Sequence, residues 1–128
     1  MKAAEKARAY NAEYRKRNTD KQLAQTAKWR AENPESARAI TRNRRARIKQ
    51  SSGHHSAADI VTLFRLQKGR CANCKENTKK KFHVDHIVPL ALGGSNGREN
   101  LQILCPPCNR KKGAMHPIVF AQREGRLL

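Results

Sequence analysis

Two Cys-x-x-Cys pairs, Cys71/Cys74 and Cys105/Cys108, constrain this chain more than anything else in it. Each pair offers two thiolates from one tight turn. Two such turns complete a tetrahedral site with no open position, so the expected metal is a structural zinc on Cys71, Cys74, Cys105 and Cys108. A redox pair would not need a second copy. The 30 residues between the pairs must then form a compact excursion that returns to its base. Pro106-Pro107 stiffens the second turn.

A staple of this kind suits the composition. Only 38% of the 128 residues are apolar and 5% are aromatic. Small cores of this sort usually need a metal or disulfide to hold them. Net charge is +18. Residues 1–50 carry 15 Lys and Arg against 5 Asp and Glu, and the remainder 13 against 5, so both parts are basic. A polyanion, nucleic acid, is the expected partner. No apolar run is long enough to span a membrane, and the N-terminus lacks the apolar core of a secretory signal. The expected compartment is the cytoplasm, where paired Cys-x-x-Cys marks a metal site more often than disulfides.

Three segments follow. Residues 1–50 are rich in Ala, Arg, Lys and Glu, which predicts helices over about 3–17, 20–32 and 35–50. Asn18-Thr19-Asp20 and Asn33-Pro34-Glu35 are the expected breaks. Ala12-Glu13-Tyr14-Arg15 and Ala27-Lys28-Trp29-Arg30 form a weak repeat, too short for a solenoid. Arg38, Arg42, Arg45 and Lys49 recur at helical spacing and make one basic stripe, so this segment is expected to be an arm on the DNA backbone. Residues 51–55 are expected to be a linker, with His54 and His55 as a surface pair. Residues 56–128 hold the zinc-stapled domain. It opens on Ser56-Ala57-Ala58-Asp59, a capping box leading a helix to about Lys68, with Gly69 at its end.

Within the excursion, residues 81–88 predict a strand ended by Pro89. A glycine-rich loop follows, then a returning strand over 100–104, and a helix beginning near Cys108. Strand, loop, strand and helix make a ββα unit. Its polar residues suit phosphodiester hydrolysis, which needs a divalent cation and a base for water. Asp85 and Asn109 offer oxygen ligands to Mg²⁺ and leave positions for water and phosphate. His86 is an imidazole, the side chain most often used as a base near neutral pH, and fits that role. Lys112 follows Asn109 by three residues and is expected to reach a phosphate, with Lys111 beside it. Asn100 is expected to tie down the preceding loop. Adjacent strand residues point to opposite faces, so Asp85 and His86 share a site only if the strand ends there. His83 shares the face of Asp85 and is expected to be a packing or solvent residue, and His116 a surface one.

The letters Val84-Asp85-His86-Ile87-Val88-Pro89-Leu90, Gly93-Gly94, Glu99-Asn100-Leu101-Gln102-Ile103-Leu104-Cys105 and Cys108-Asn109-Arg110-x-Lys112 resemble an HNH endonuclease, the ββα-metal nuclease family, in its four-cysteine zinc form. The resemblance spans roughly residues 60–113. It implies a small α+β fold, a zinc-stapled ββα-metal module preceded by basic helices. It also implies a DNA endonuclease using one Mg²⁺ or Mn²⁺ on Asp85 and Asn109, with His86 as general base and Asn100 steadying the loop. Asn at the third signature position resembles phage junction-resolving enzymes. That implies a phage or mobile-element protein acting in the host cytoplasm, with a homodimer or packaging partner as further expectations. The alternative is a non-catalytic zinc-containing DNA-binding module, which would keep the cysteines and the charge but need no Asp85, His86 and Asn109 together.

Overall fold

The computed structural model describes residues 2–127. They divide into two compact units, one ending at Ala37 and one beginning at Arg38. The division falls inside a helix, whose residues from Arg38 on belong with the stapled domain.

In the first unit, α1 (Lys2–Glu32) runs unbroken for 31 residues with none buried. The expected break at Asn18-Thr19-Asp20 is absent. Thr19 Oγ1 donates to the Arg15 carbonyl at 2.8 Å, so the hydroxyl turns back onto its own helix instead of capping a new one. No proline enforces a stop there. Tyr10 and Tyr14, one turn apart, stack with centroids 6.3 Å from each other. The break at Asn33-Pro34 does form. Asn33 donates to the Trp29 carbonyl from both its backbone and its side-chain nitrogen, and Pro34 starts α2 (Pro34–Ile48).

From Arg38 onward, α2 buries Ala39 and Ala46, two turns apart, with the half-buried Asn43 between them. The segment 51–55 is mostly exposed but tied down at Ser52 and His55. Asn96 N–H donates to the Ser52 carbonyl at 2.7 Å, and His55 is 1% exposed. This corrects the expected surface pair: His54 is exposed, but His55 is internal. Next, α3 (Ala57–Leu66) opens on the complete Ser56/Asp59 capping box. Its Gln67 side chain brackets the Ile103 peptide, donating to the carbonyl at 3.0 Å and accepting from the N–H at 2.9 Å. That seals the helix end to the sheet.

The sheet is one antiparallel pair, β1 (His83–His86) and β2 (Leu101–Leu104). Register sets His83 opposite Leu104 and Asp85 opposite Gln102. β1 is shorter than the expected 81–88. Past His86 one more backbone bond forms, from Ile87 N–H to the Asn100 carbonyl at 2.8 Å, and then the Asn100 side chain takes both backbone groups of Val88. A helix α4 (Pro106–Lys112) follows β2 directly, beginning at the two prolines, and completes the ββα unit. A last helix, α5 (Pro117–Arg123), is capped by His116 Nδ1 and buries Phe120. The core is small: Ile60, Leu101, Ile103, Leu104 and Phe120, with Cys71 and Cys108 as part of it. Among the described residues, no helix is long and apolar enough to cross a membrane.

Candidate active site and metal centre

The four cysteine sulfurs lie within 4.8 Å of one another. Among the described residues they are the one group of three or more His, Cys, Asp or Glu side chains so placed. A tetrahedron with Zn–S near 2.3 Å has S–S edges of about 3.8 Å. Cys74 and Cys105 stand 3.7 Å apart, so the donors already have the spacing of a shared metal. Burial raises the Cys71 thiol, but backbone hydrogen bonds from Cys105, Cys74 and Asn73 outweigh it and bring the group to about 7. Asn73 Nδ2 also points to Cys108 Sγ at 3.4 Å. At Cys71 these donors favour the thiolate, the form a metal binds, while burial raises the thiols of Cys74, Cys105 and Cys108.

Above the staple, strand alternation puts His83 and Asp85 on one face of β1. The facing residue of β2, Gln102, donates to Asp85 Oδ2 at 3.0 Å. On α4, Asn109 and Lys112 share a face at i, i+3. Asn109 Nδ2 meets His83 Nδ1 at 2.8 Å, and Lys112 Nζ meets Asp85 Oδ2 at 2.9 Å. The helix therefore lies along this face of the strand, with two residues on each making the contact.

Lys112 is not placed to reach a phosphate, contrary to expectation. It is 1% exposed, and its ammonium also donates to the His86 carbonyl at 2.9 Å. A buried ammonium needs such partners, since one left unpaired costs several kcal/mol. Lys112 thus clamps the Asp85 side chain and the His86 backbone to α4. Lys111 is exposed. In the stripe on α2, Arg38, Arg45 and Lys49 are exposed, while Arg42 is half-buried and donates to His55 Nε2 at 2.9 Å.

His86, on the other side of β1, has a separate partner set. Its Nε2 sits 2.9 Å from Asn96 Oδ1. Among the described residues, no direct hydrogen bond joins Asp85, His86 and Asn109; Lys112 and the strand backbone connect them. Asn100 Nδ2 donates to the Val88 and Ser95 carbonyls at 2.9 and 2.7 Å, and its Oδ1 accepts from Val88 N–H at 2.9 Å. These three bonds fold the loop back beneath the end of β1. The loop has no room to spare at Gly94, where an added Cβ would collide with the Val88 carbonyl and stand 2.8 Å from Asn100 Nδ2. Gly94→Ala is expected to cost about 1–3 kcal/mol in a urea titration, the usual range for overpacking, with the loss carried by this loop.

Asn96 is the residue the sequence does not announce. In a Gly-Gly-Ser-Asn-Gly run it has the signature of a turn residue, yet it is 0% exposed. Its Nδ2 donates to Asn43 Oδ1 at 2.7 Å, and its carbonyl lies 3.0 Å from His55 Nδ1. Burial lowers the His55 pKa; the bond to the Asn96 carbonyl opposes that and the Arg42 charge reinforces it. No local pattern foretells contacts spanning 41 and 53 residues.

Residues 71–115 match the model of the HNH endonuclease family. Among curated proteins, the CRISPR-associated endonuclease Cas9 of Actinomyces naeslundii is 42% identical over 77 residues, which is 57% of this chain and 7% of that protein. The type IV methyl-directed restriction enzyme EcoKMcrA of Escherichia coli K12 is 32% identical over 56 residues, 38% of this chain and 20% of that one. The Cas9 of Corynebacterium diphtheriae is 40% identical over 65 residues, 48% of this chain and 6% of its own length. The chain thus spans a fifth or less of these relatives. A solved structure, the Type II-C Cas9 enzyme from Actinomyces naeslundii, aligns with 84% of this chain and 11% of its own at 30% identity, with a TM-score of 0.47.

Proposed function

We propose that this chain, which carries an HNH endonuclease domain at residues 71–115, hydrolyses phosphodiester bonds of DNA. The observation that carries the reading is the contact between α4 and β1. It gathers Asn109, His83, Asp85 and Lys112 on one face, while the same lysine pins the backbone of His86.

Cys71, Cys74, Cys105 and Cys108 hold a structural zinc, for which their spacing and four-sulfur donor set fit. Asp85 and Asn109 are the oxygen donors for a catalytic Mg²⁺ or Mn²⁺, with His83 bonded to Asn109. Two oxygen ligands with room for water suit such an ion. When bound, the ion neutralises charge on the phosphate and on the leaving oxygen. His86 accepts the proton of the attacking water. Asn100 keeps the loop that sets His86 in place. The helices of residues 1–50 serve as an arm on the duplex, where exposed Arg38, Arg45 and Lys49, with Lys111 on α4, neutralise backbone phosphates. One site per chain cuts one strand in each binding event, so cutting both strands at once calls for a second copy.

The second reading, a non-catalytic zinc-containing DNA-binding module, draws support from the Asp85–Lys112 ion pair, which occupies one carboxylate oxygen. Supercoiled plasmid separates the two. Zinc-loaded protein with Mg²⁺ or Mn²⁺ is expected to yield nicked circles, and the same protein in EDTA, over minutes, none. Binding that shifts the plasmid without nicking it under any divalent ion would decide for the second reading.

A further inference from the structure

We infer that Asn96 is a positioning residue that fixes the tautomer of His86, with the proton on Nε2 and Nδ1 left as the nitrogen that receives a proton. The inference rests on the nuclease reading for its catalytic consequence, but the tautomer itself follows from hydrogen bonds alone.

Side-chain amides have two ends that are hard to tell apart, so their orientation has to be derived from groups with fixed roles. Such groups are present here. The backbone of His55 offers a carbonyl, which only accepts, and an N–H, which only donates. The carbonyl lies 2.7 Å from one end of the Asn43 amide, so that end is Nδ2. The N–H lies 3.2 Å from the other end, so that end is Oδ1. Asn43 Oδ1 also meets the Asn96 amide at 2.7 Å. An oxygen there requires a donor, so Asn96 presents Nδ2 to it. Asn96 must therefore present Oδ1 to His86, 2.9 Å from Nε2. An oxygen facing an imidazole nitrogen requires that nitrogen to carry the proton. The neutral ring then has its lone pair on Nδ1.

The same network agrees with itself on its other branch. The Asn96 carbonyl requires a proton on His55 Nδ1, which leaves His55 Nε2 to accept from Arg42 Nε. Asn96 cannot easily turn away. Its N–H is held by the Ser52 carbonyl at 2.7 Å, and the residue is fully buried. A peptide group beside α2 thus dictates, through two amides, which nitrogen of His86 is available.

The test joins imidazole ¹⁵N NMR to steady-state nicking, on zinc-loaded protein in alkaline buffer where free imidazoles are neutral. Loss of one of the five histidine signals in His86→Ala assigns the resonance. The wild type is expected to show His86 as the Nε2–H tautomer. Asn96→Leu removes the acceptor while keeping the same number and branching of side-chain heavy atoms. It is expected to shift the signals toward a tautomer mixture and to lower kcat by about 10²-fold, with KM for plasmid and zinc content unchanged. Asn96→Asp keeps an oxygen against Nε2 and is expected to retain the Nε2–H tautomer. A wild-type His86 protonated on Nδ1 overturns the inference, whether or not any variant folds. An unchanged tautomer in Asn96→Leu overturns it too. A wild type that shows the Nε2–H tautomer but never nicks DNA defeats the nuclease reading and leaves the positioning role standing.

Discussion

Replacing His86 with alanine is expected to slow plasmid nicking by roughly 10²–10⁴-fold, the range for removing a positioned general base. Zinc content is expected to stay at one per chain. The substitution spares what holds this part of the fold. The bond from Lys112 goes to the His86 carbonyl, which alanine keeps. The pairing of residue 86 with Leu101 belongs to the backbone as well. What alanine does lose is the partner of Asn96 Oδ1, a buried oxygen, at a cost of about 1–3 kcal/mol. A modest drop in melting temperature beside a large drop in rate is therefore the expected pair of readings. It separates a chemical role from a structural one, since a domain still folded at the assay temperature cannot lose several decades of rate through 1–3 kcal/mol of stability. Nicking at the wild-type rate would remove His86 from the mechanism.

The ββα order, the four-cysteine cluster and the capping box at Ser56 were legible because each is written locally. Cys-x-x-Cys spacing, alternation over four residues and a cap motif all act within a few positions. What escaped the sequence depends on partners far along the chain. Lys112 at i+3 from Asn109 was correctly placed on one helix face. Its destination was not, because only the pairing of α4 with β1 shows Asp85 waiting there. His55 reads as half of a loop pair until Asn43 and Asn96 are brought to it from opposite directions. The missing break near Asp20 has another cause. Cap residues offer a stop, but without proline or tertiary packing a helix of Ala, Lys and Gln continues through them.

Removing the metal, by prolonged strong chelation or by Cys71→Ser, is expected to unfold the stapled domain outright. Structural zinc sites contribute an apparent 10–16 kcal/mol at neutral pH, as much as or more than the whole stability of a typical domain, about 5–15 kcal/mol. The core here has little to set against that. Cys71 and Cys108 form part of it with Leu104, so the staple and the apolar cluster share residues. Ala72 N–H also donates to the Ile103 carbonyl at 2.9 Å, which ties the first knuckle to β2. Loss of one thiolate therefore loosens the strand that sets the register of His83–His86. The readout must be chosen with the sequence in mind. Trp29, Tyr10 and Tyr14 all lie in α1, so intrinsic fluorescence reports on the arm and not on the staple. Amide dispersion in ¹⁵N spectra and limited proteolysis of residues 56–128 report on the domain itself. Both are expected to change together with zinc release, and nicking with them. A chain that purifies without zinc and keeps its dispersed spectrum in chelator would show that the apolar cluster suffices without the metal, and the staple would lose its place in the fold.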